Sequence, residues 1–357
     1  MSKAVVLLVH GMGTHAPGNI KKEFIKGVNQ AGTYLAMDDF DIAKEVKFEE
    51  YNYSDKLDRI RKDAADYQGN ISQYLNYVSG GTLGDIATKL VDIEAKFGND
   101  SFLYTHWLDV AYYGLTYHHE EIRLEWAEEL SKQILYCHKN GTKLHVVGHS
   151  LGTAVVHDAL AKLYRERVGL GDSYHLSAAS ERFESLWMVA NVSRLVHILT
   201  RSIDPHHSIT HDSNPDMVGC ANYFYNVRNK FDPFMFVKKY KREIEHGRHI
   251  EFSEVRKIEN NDLIVNPHDL TEYMACPDVS RLFLYRTLGK RFSREQLRTA
   301  MEAYHADSIQ GIGEQAYDAI MEFVDSLGDL SLNNIDTVIN AFESAKKAID
   351  DLRNIAN

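Results

Sequence analysis

The chain has 357 residues, 44% of them hydrophobic, which is enough for one large domain or two modest ones around a sizeable core. A formal net charge of −11 at pH 7 argues against a nucleic-acid or anionic-membrane partner, since each needs a basic face to neutralise phosphate. The three cysteines, Cys137, Cys220 and Cys276, are odd in number and widely spaced with no C-x-x-C pair. They read as free thiols of a reducing compartment and not as a disulfide framework.

The run 5–9, Val-Val-Leu-Leu-Val, is too brief for the apolar region of a signal peptide and reads as a strand buried on both faces of a parallel sheet. No apolar stretch approaches transmembrane length, so a cytoplasmic chain without stable membrane insertion is expected. His10-Gly11-Met12-Gly13 follows the strand, and its glycines let backbone N–H groups turn toward a ligand. Spacing then predicts a helix over 20–35, a strand over 46–53, an amphipathic helix over 120–138 and a strand over 143–147.

Residues 54–119, about sixty in all, exceed an ordinary connection and are expected to cap the sheet or shape a pocket. Their latter part concentrates Phe97, Phe102, Tyr104, Trp107, Tyr112, Tyr113 and Tyr117. Such a group packs as core or lines a wall for an acyl or aromatic substrate.

Gly148-His149-Ser150-Leu151-Gly152 lies between the apolar run 144–147 and a helical run over 153–167. In that context G-x-S-x-G reads as a nucleophile elbow, a strand-to-helix turn so sharp that small residues must flank the serine. Further strands are expected over 186–192, 222–227 and 250–258. A helical stretch over 233–244 carries the basic run Lys238, Lys239, Lys241 and Arg242, read as a solvated face. From Phe292 onward, apolar residues recur at helical spacing in three runs that begin at Leu297, Ile312 and Ile335. The organisation is therefore a core over 1–290, with its insertion at about 54–119, and a helical extension over 291–357. That extension is suited to docking on the core, to forming a homodimer or to binding a protein partner.

A serine hydroxyl is a weak nucleophile at neutral pH. It needs a histidine to take its proton, an acid to orient the histidine, and donors for the developing oxyanion. The N–H groups of Met12 and of Leu151, which opens a helix, are placed for the oxyanion. Asp232 follows a strand and precedes Pro233, a position where active-site residues collect in open α/β sheets, and it is the first choice for the acid. Asp204, also before a proline, is the second. His268, in Asn266-Pro267-His268-Asp269, comes after nucleophile and acid and suits the general base. Asp204, His206, His207, His211 and Asp212 offer five metal-ligating groups in one polar loop, but adjacent histidines seldom converge without a scaffold. The reading includes no metal or other cofactor.

With these features in order, residues 3–290 resemble the α/β-hydrolase superfamily, in particular its lipase- and esterase-like members carrying HG-x-G and G-H-S-L-G. The resemblance implies a doubly wound, mostly parallel α/β sheet with an inserted cap-like segment and a helical C-terminal extension. It also implies a serine hydrolase that cleaves a small-molecule or lipid carboxylic ester through an acyl-enzyme. Ser150, Asp232 and His268 would form the triad, and Met12 and Leu151 the oxyanion hole. Lipid or aromatic esters fit the aromatic insertion best. The same site would serve a thioesterase or an acyltransferase, and the scaffold would also serve a protein that only binds a partner.

Overall fold

The computed structural model describes residues 4–11, 16–59, 113, 118–166, 174–178, 180–200, 204–205, 219–232, 234–237, 239–241, 247–254, 256 and 267–308. The strands are β1 (Ala4–Val9), β2 (Lys47–Tyr51), β3 (Lys143–His149), β4 (Phe183–Val189), β5 (Ala221–Asn229) and β6 (Gly247–Phe252). They form one sheet in the order β2-β1-β3-β4-β5-β6, and every neighbouring pair is parallel. The helices are α1 (Asn19–Tyr34), α2 (Ile42–Glu45), α3 (His118–Lys139), α4 (Leu151–Ala161), α5 (Ser193–Thr200), α6 (Phe234–Val237), α7 (Leu270–Ala275), α8 (Pro277–Leu288) and α9 (Arg294–Ala306).

All six residues of β1 are buried, because the strand has a neighbour on each side and helices over both faces. That is why its sequence is an unbroken β-branched and leucine run. The edge strands β2 and β6 instead carry exposed Lys47, Arg248 and His249, the charged and polar residues that discourage pairing with another chain. The connection from β1 runs to β2 on one side, and the chain then returns across β1 to β3 on the other. Right-handed crossovers in opposite directions put helices on opposite faces. Accordingly α1 packs with α7, α8 and α9, while α4 packs with α3 and α5. Strand order reverses between β1 and β3, which opens a crevice at their carboxyl ends, the place where α/β sheets hold ligands.

Close contacts fix the first helical layer. At Gly27 of α1 a Cβ would stand 2.7 Å from both the Met274 Cβ and the Thr271 carbonyl oxygen, so only glycine lets α1 approach α7 so closely. On β4 and β5, Trp187 stacks on Tyr225 at 3.9 Å, and Phe283 of α8 meets Trp187 edge-on at 5.5 Å. Arg286 Nε–H donates to the Tyr225 hydroxyl at 2.7 Å, which ties the end of α8 to the sheet.

The first tail helix, α9, opens with a reciprocal capping box between Ser293 and Gln296. It buries Ala300 and Tyr304 against the main body, where Tyr304 meets Tyr34 of α1 edge-on at 5.5 Å. The two further helices expected in the tail, and nearly all of the 54–119 insertion, lie outside the described residues. Tyr113 is one member of the aromatic group that is described. It is fully buried and its hydroxyl donates to Asp158 at 2.9 Å, so this aromatic is core and not an open substrate wall.

Of the helix expected over 233–244, Lys238 and Arg242 lie outside the described residues, which form a single turn, α6. Lys239 and Lys241 follow it and are not part of a helical face. Beyond α6, Tyr240 is buried against Phe224 of β5, with ring centroids 5.4 Å apart, and that burial favours the non-helical course of 239–241. The helix expected over 153–167 starts at Leu151, remains α-helical to Ala161 and widens to a π-turn over Lys162–Glu166.

Candidate active site

Ser150 joins β3 to α4 at φ 53° and ψ −125°, a conformation rarely open to a residue with a side chain and costing about 1–3 kcal/mol. The surroundings over-determine it. Ser150 N–H donates to the Val189 carbonyl at 3.0 Å, and the Ser150 carbonyl accepts from Thr153 N–H at 2.9 Å and from the Thr153 hydroxyl at 2.6 Å. Val9 pairs with Gly148, so the chain leaving β1 passes directly beside the serine. A Cβ on Gly11 would lie 2.8 Å from the Ser150 Cβ, and one on Gly152 would collide with the carbonyls of Val9 and His10. Glycine at 152 is therefore what lets α4 start beneath the β1 end.

His268 and Asp232 converge on this serine from α7 and β5. His268 lies two residues before α7, and its Nε2 is 2.7 Å from the Ser150 Oγ. Its Nδ1 is 2.7 Å from Asp232 Oδ2. A carboxylate only accepts, so Nδ1 carries the proton and the Nε2 lone pair accepts from the serine hydroxyl. All three side chains are buried. Asp232 follows β5 by three residues and caps the next turn, its Oδ1 accepting from Phe234 N–H at 3.1 Å. The capping role and the contact with histidine thus coexist, one on each carboxylate oxygen. His149 Nε2–H donates to the His268 carbonyl at 2.9 Å and fixes the histidine's main chain.

Tyr273 of α7 is a group that pattern reading missed. Its hydroxyl donates to Asp232 Oδ2 at 2.7 Å and accepts from Asn229 N–H at 3.2 Å. Burial, followed by the negative charge of Asp232, holds this phenol well above its ordinary range, so it stays a donor. Its signal in the sequence was only its place five residues after His268, a little over one helical turn.

On the facing side the loop after β1 is clamped by Tyr53. The Tyr53 hydroxyl lies 2.8 Å from the His10 carbonyl and 2.9 Å from the Gly11 carbonyl, and Tyr53 N–H donates to His10 Nε2 at 3.0 Å. His10 Nδ1–H therefore donates to the Gly11 carbonyl at 2.7 Å, and the His10 and Tyr53 rings stack at 3.9 Å. Leu151 is the first residue of α4, so its N–H is among those that a helix leaves without an internal acceptor. Met12 lies outside the described residues.

Behind the elbow, Asp158 of α4 is buried beside Tyr113, His157 and Arg123. Burial works to raise this carboxyl. Hydrogen bonds from His157 and Tyr113, together with the charges of His157 and Arg123, outweigh it and hold it below the usual value.

Asp204 is not brought to His268. It pairs instead with Arg194 of α5 at 3.5 Å. Its companions in the polar loop, His206, His207, His211 and Asp212, lie outside the described residues. Among the described residues, no group of three histidines, cysteines or carboxylates is placed to hold a metal. No described helix is long and apolar enough to cross a membrane.

Among the described residues the fold is thus of the α/β class, with one parallel six-stranded sheet. Neither a family model, nor a curated protein, nor a solved structure matches the chain.

Proposed function

We propose that the chain is a serine hydrolase of the α/β-hydrolase kind, cleaving a carboxylic ester through an acyl-enzyme on Ser150. The observation that carries this reading is the buried relay from Ser150 Oγ to His268 Nε2 and from His268 Nδ1 to Asp232, with 2.7 Å at each step. It starts on a serine held at positive φ between strand and helix. The order nucleophile, acid, histidine and the placement of Ser150 and Asp232 just past the carboxyl ends of β3 and β5 also support it.

In this reading Ser150 Oγ attacks the ester carbonyl carbon while His268 Nε2 takes the hydroxyl proton, and Asp232 stabilises the imidazolium that forms. The carbonyl oxygen becomes an oxyanion facing the N–H of Leu151, with the N–H of Met12 assigned as the second donor. Collapse breaks the bond to the leaving alkoxide, which receives the proton from His268 Nε2. Water then adds to the acyl carbon, gives its proton to the same nitrogen, and the carboxylic acid leaves as Ser150 recovers its hydrogen. A lipid or aromatic ester remains the favoured substrate class. The three free, buried cysteines support a cytoplasmic setting.

A fluorophosphonate probe tests the assignment directly. Wild-type protein should be labelled on Ser150, and a Ser150→Ala variant labelled at the wild-type rate would sink the proposal. A series of p-nitrophenyl esters of increasing chain length then reads the acyl preference, and a preference for the shortest esters would remove the lipid reading.

A further inference from the structure

We infer that Tyr273 is a positioning residue of the relay, donating to the same Asp232 oxygen that accepts from His268 and so setting how strongly the carboxylate holds the histidine proton. The inference rests on reading Ser150, His268 and Asp232 as a working relay.

The geometry leaves the Tyr273 hydroxyl little other purpose. Its single proton points to Asp232 Oδ2 at 2.7 Å, and its own lone pair is taken by Asn229 N–H. Oδ2 thereby accepts two short hydrogen bonds, one from a phenol and one from an imidazole, whereas Oδ1 accepts the weaker bond from Phe234 N–H at 3.1 Å. Two donors on one anionic oxygen compete for its charge. A stronger bond from one donor therefore weakens the bond from the other. Tyr273 is itself anchored, its ring edge-on to Phe252 at 5.4 Å, and α7 is set against α1 at Gly27.

Other charged or titratable groups bear on the pair from each packed element. His149 of β3 lies with its ring 5.3 Å from that of His268. Arg228 of β5 acts on Tyr273 and is itself paired with Glu251. Asp269 follows His268 directly and acts on Glu23 of α1. Tyr273 is distinguished from all of these by direct contact with the carboxylate that orients the base.

Removing the phenol proton donor leaves more charge on Oδ2 for His268, so the imidazolium becomes harder to deprotonate. Tyr273→Phe should move the acid limb of the pH profile of fluorophosphonate labelling upward by about half a unit to one unit, with the alkaline plateau within about threefold of wild type. On the acid side this reads as a loss of about three- to tenfold. In the resting protein, without any probe, the downfield proton resonance of His268 Nδ1–H should move further downfield. Site-specific replacement of Tyr273 by a ring-fluorinated tyrosine, a stronger donor of nearly the same shape, should move both readouts the opposite way, and it decides the matter if the phenylalanine variant does not fold. A purely packing role predicts no change in the acid limb or the resonance with either replacement, and that result would overturn the inference. Failure of the hydrolase reading looks different. The wild type would then not be labelled at all, while the resonance would still report whether Tyr273 acts on His268.

Discussion

The residue just before the elbow serine holds the main chain of the residue that faces the serine hydroxyl: His149 Nε2–H donates to the His268 carbonyl at 2.9 Å. Ser150 and His268 are therefore tied by backbone as well as by their own contact. His149→Ala should leave that buried carbonyl without its donor, costing about 1–3 kcal/mol, and should slow probe labelling of Ser150 by about tenfold. Thermal unfolding and labelling rate measured together check both effects.

Asp232 sets the tautomer of His268 through its contact at Nδ1. Asp232→Asn would present a donor where an acceptor is needed, and turnover of any ester found to be a substrate should fall by about 10⁴-fold with little change in fold. His268→Ala should do at least as much. Activity within a few fold of wild type in either variant would remove that residue from the relay.

Gly152 sits beneath the carbonyls of Val9 and His10 with no room for a side chain. Gly152→Ala should force β1 and α4 apart and destabilise the protein by about 3 kcal/mol, an overpacking penalty at the upper end of the usual range. The expected result is a lowered thermal midpoint and a poor soluble yield. A variant as stable as wild type would show that the elbow is looser than its geometry implies.

Glu23 is half-buried on α1. Burial, and after it the negative charge of Asp269, lift its carboxyl from 4.5 to about 7. A carboxyl raised on folding binds its proton more tightly in the native chain. Its stabilising contribution is full below about pH 4.5 and is lost as pH rises through about 7. Glu23→Gln, neutral throughout, should therefore unfold at a temperature about 2–4 °C above wild type in mildly alkaline buffer, with the gap closing toward acid. An identical pH dependence in the two proteins would count against the buried proton.

Cys137, Cys220 and Cys276 are all buried and free. Burial pushes the thiols of Cys220 and Cys276 up to about 12 and raises that of Cys137. Since the thiolate is the reacting species, alkylation of the native protein at neutral pH should be at least about a hundredfold slower than in denaturant. Mass spectrometry of iodoacetamide-treated protein gives the count directly. Rapid modification of any one thiol would mark a local opening.

The parts of the fold that were legible beforehand are those where burial leaves a one-dimensional trace. β1 and β3 are covered on both faces and read as apolar runs, and the glycines of the elbow mark where two backbones nearly touch. Ser150, Asp232 and His268 are singled out in the sequence by their places after strand-like runs, and the structure brings their three side chains into contact. What was misjudged depended on partners distant in sequence. β4 starts at Phe183, earlier than expected, because Glu184 interrupts the apolar pattern while pairing with Lys143, and it stops at Val189, before Ala190 takes a positive φ of 49°. The edge strand β6 shows exposed Arg248 and His249 in place of an apolar run, so its start was hidden. Tyr273 and Tyr53 could not be singled out among 20 tyrosines, because their roles exist only once α7 meets β5 and β2 meets the β1 loop.

The seating of α7 on Gly27 also bears on how the protein is made. The relay draws on residues 150, 232 and 268, and its last member is positioned by a helix that docks on α1, near the opposite end of the chain. A growing polypeptide emerging from the ribosome can form the serine turn long before it contains the histidine that would activate it. Under the proposed function, a released fragment ending before His268 carries a serine without its base, and the site is complete only once the late helix has closed against the early one.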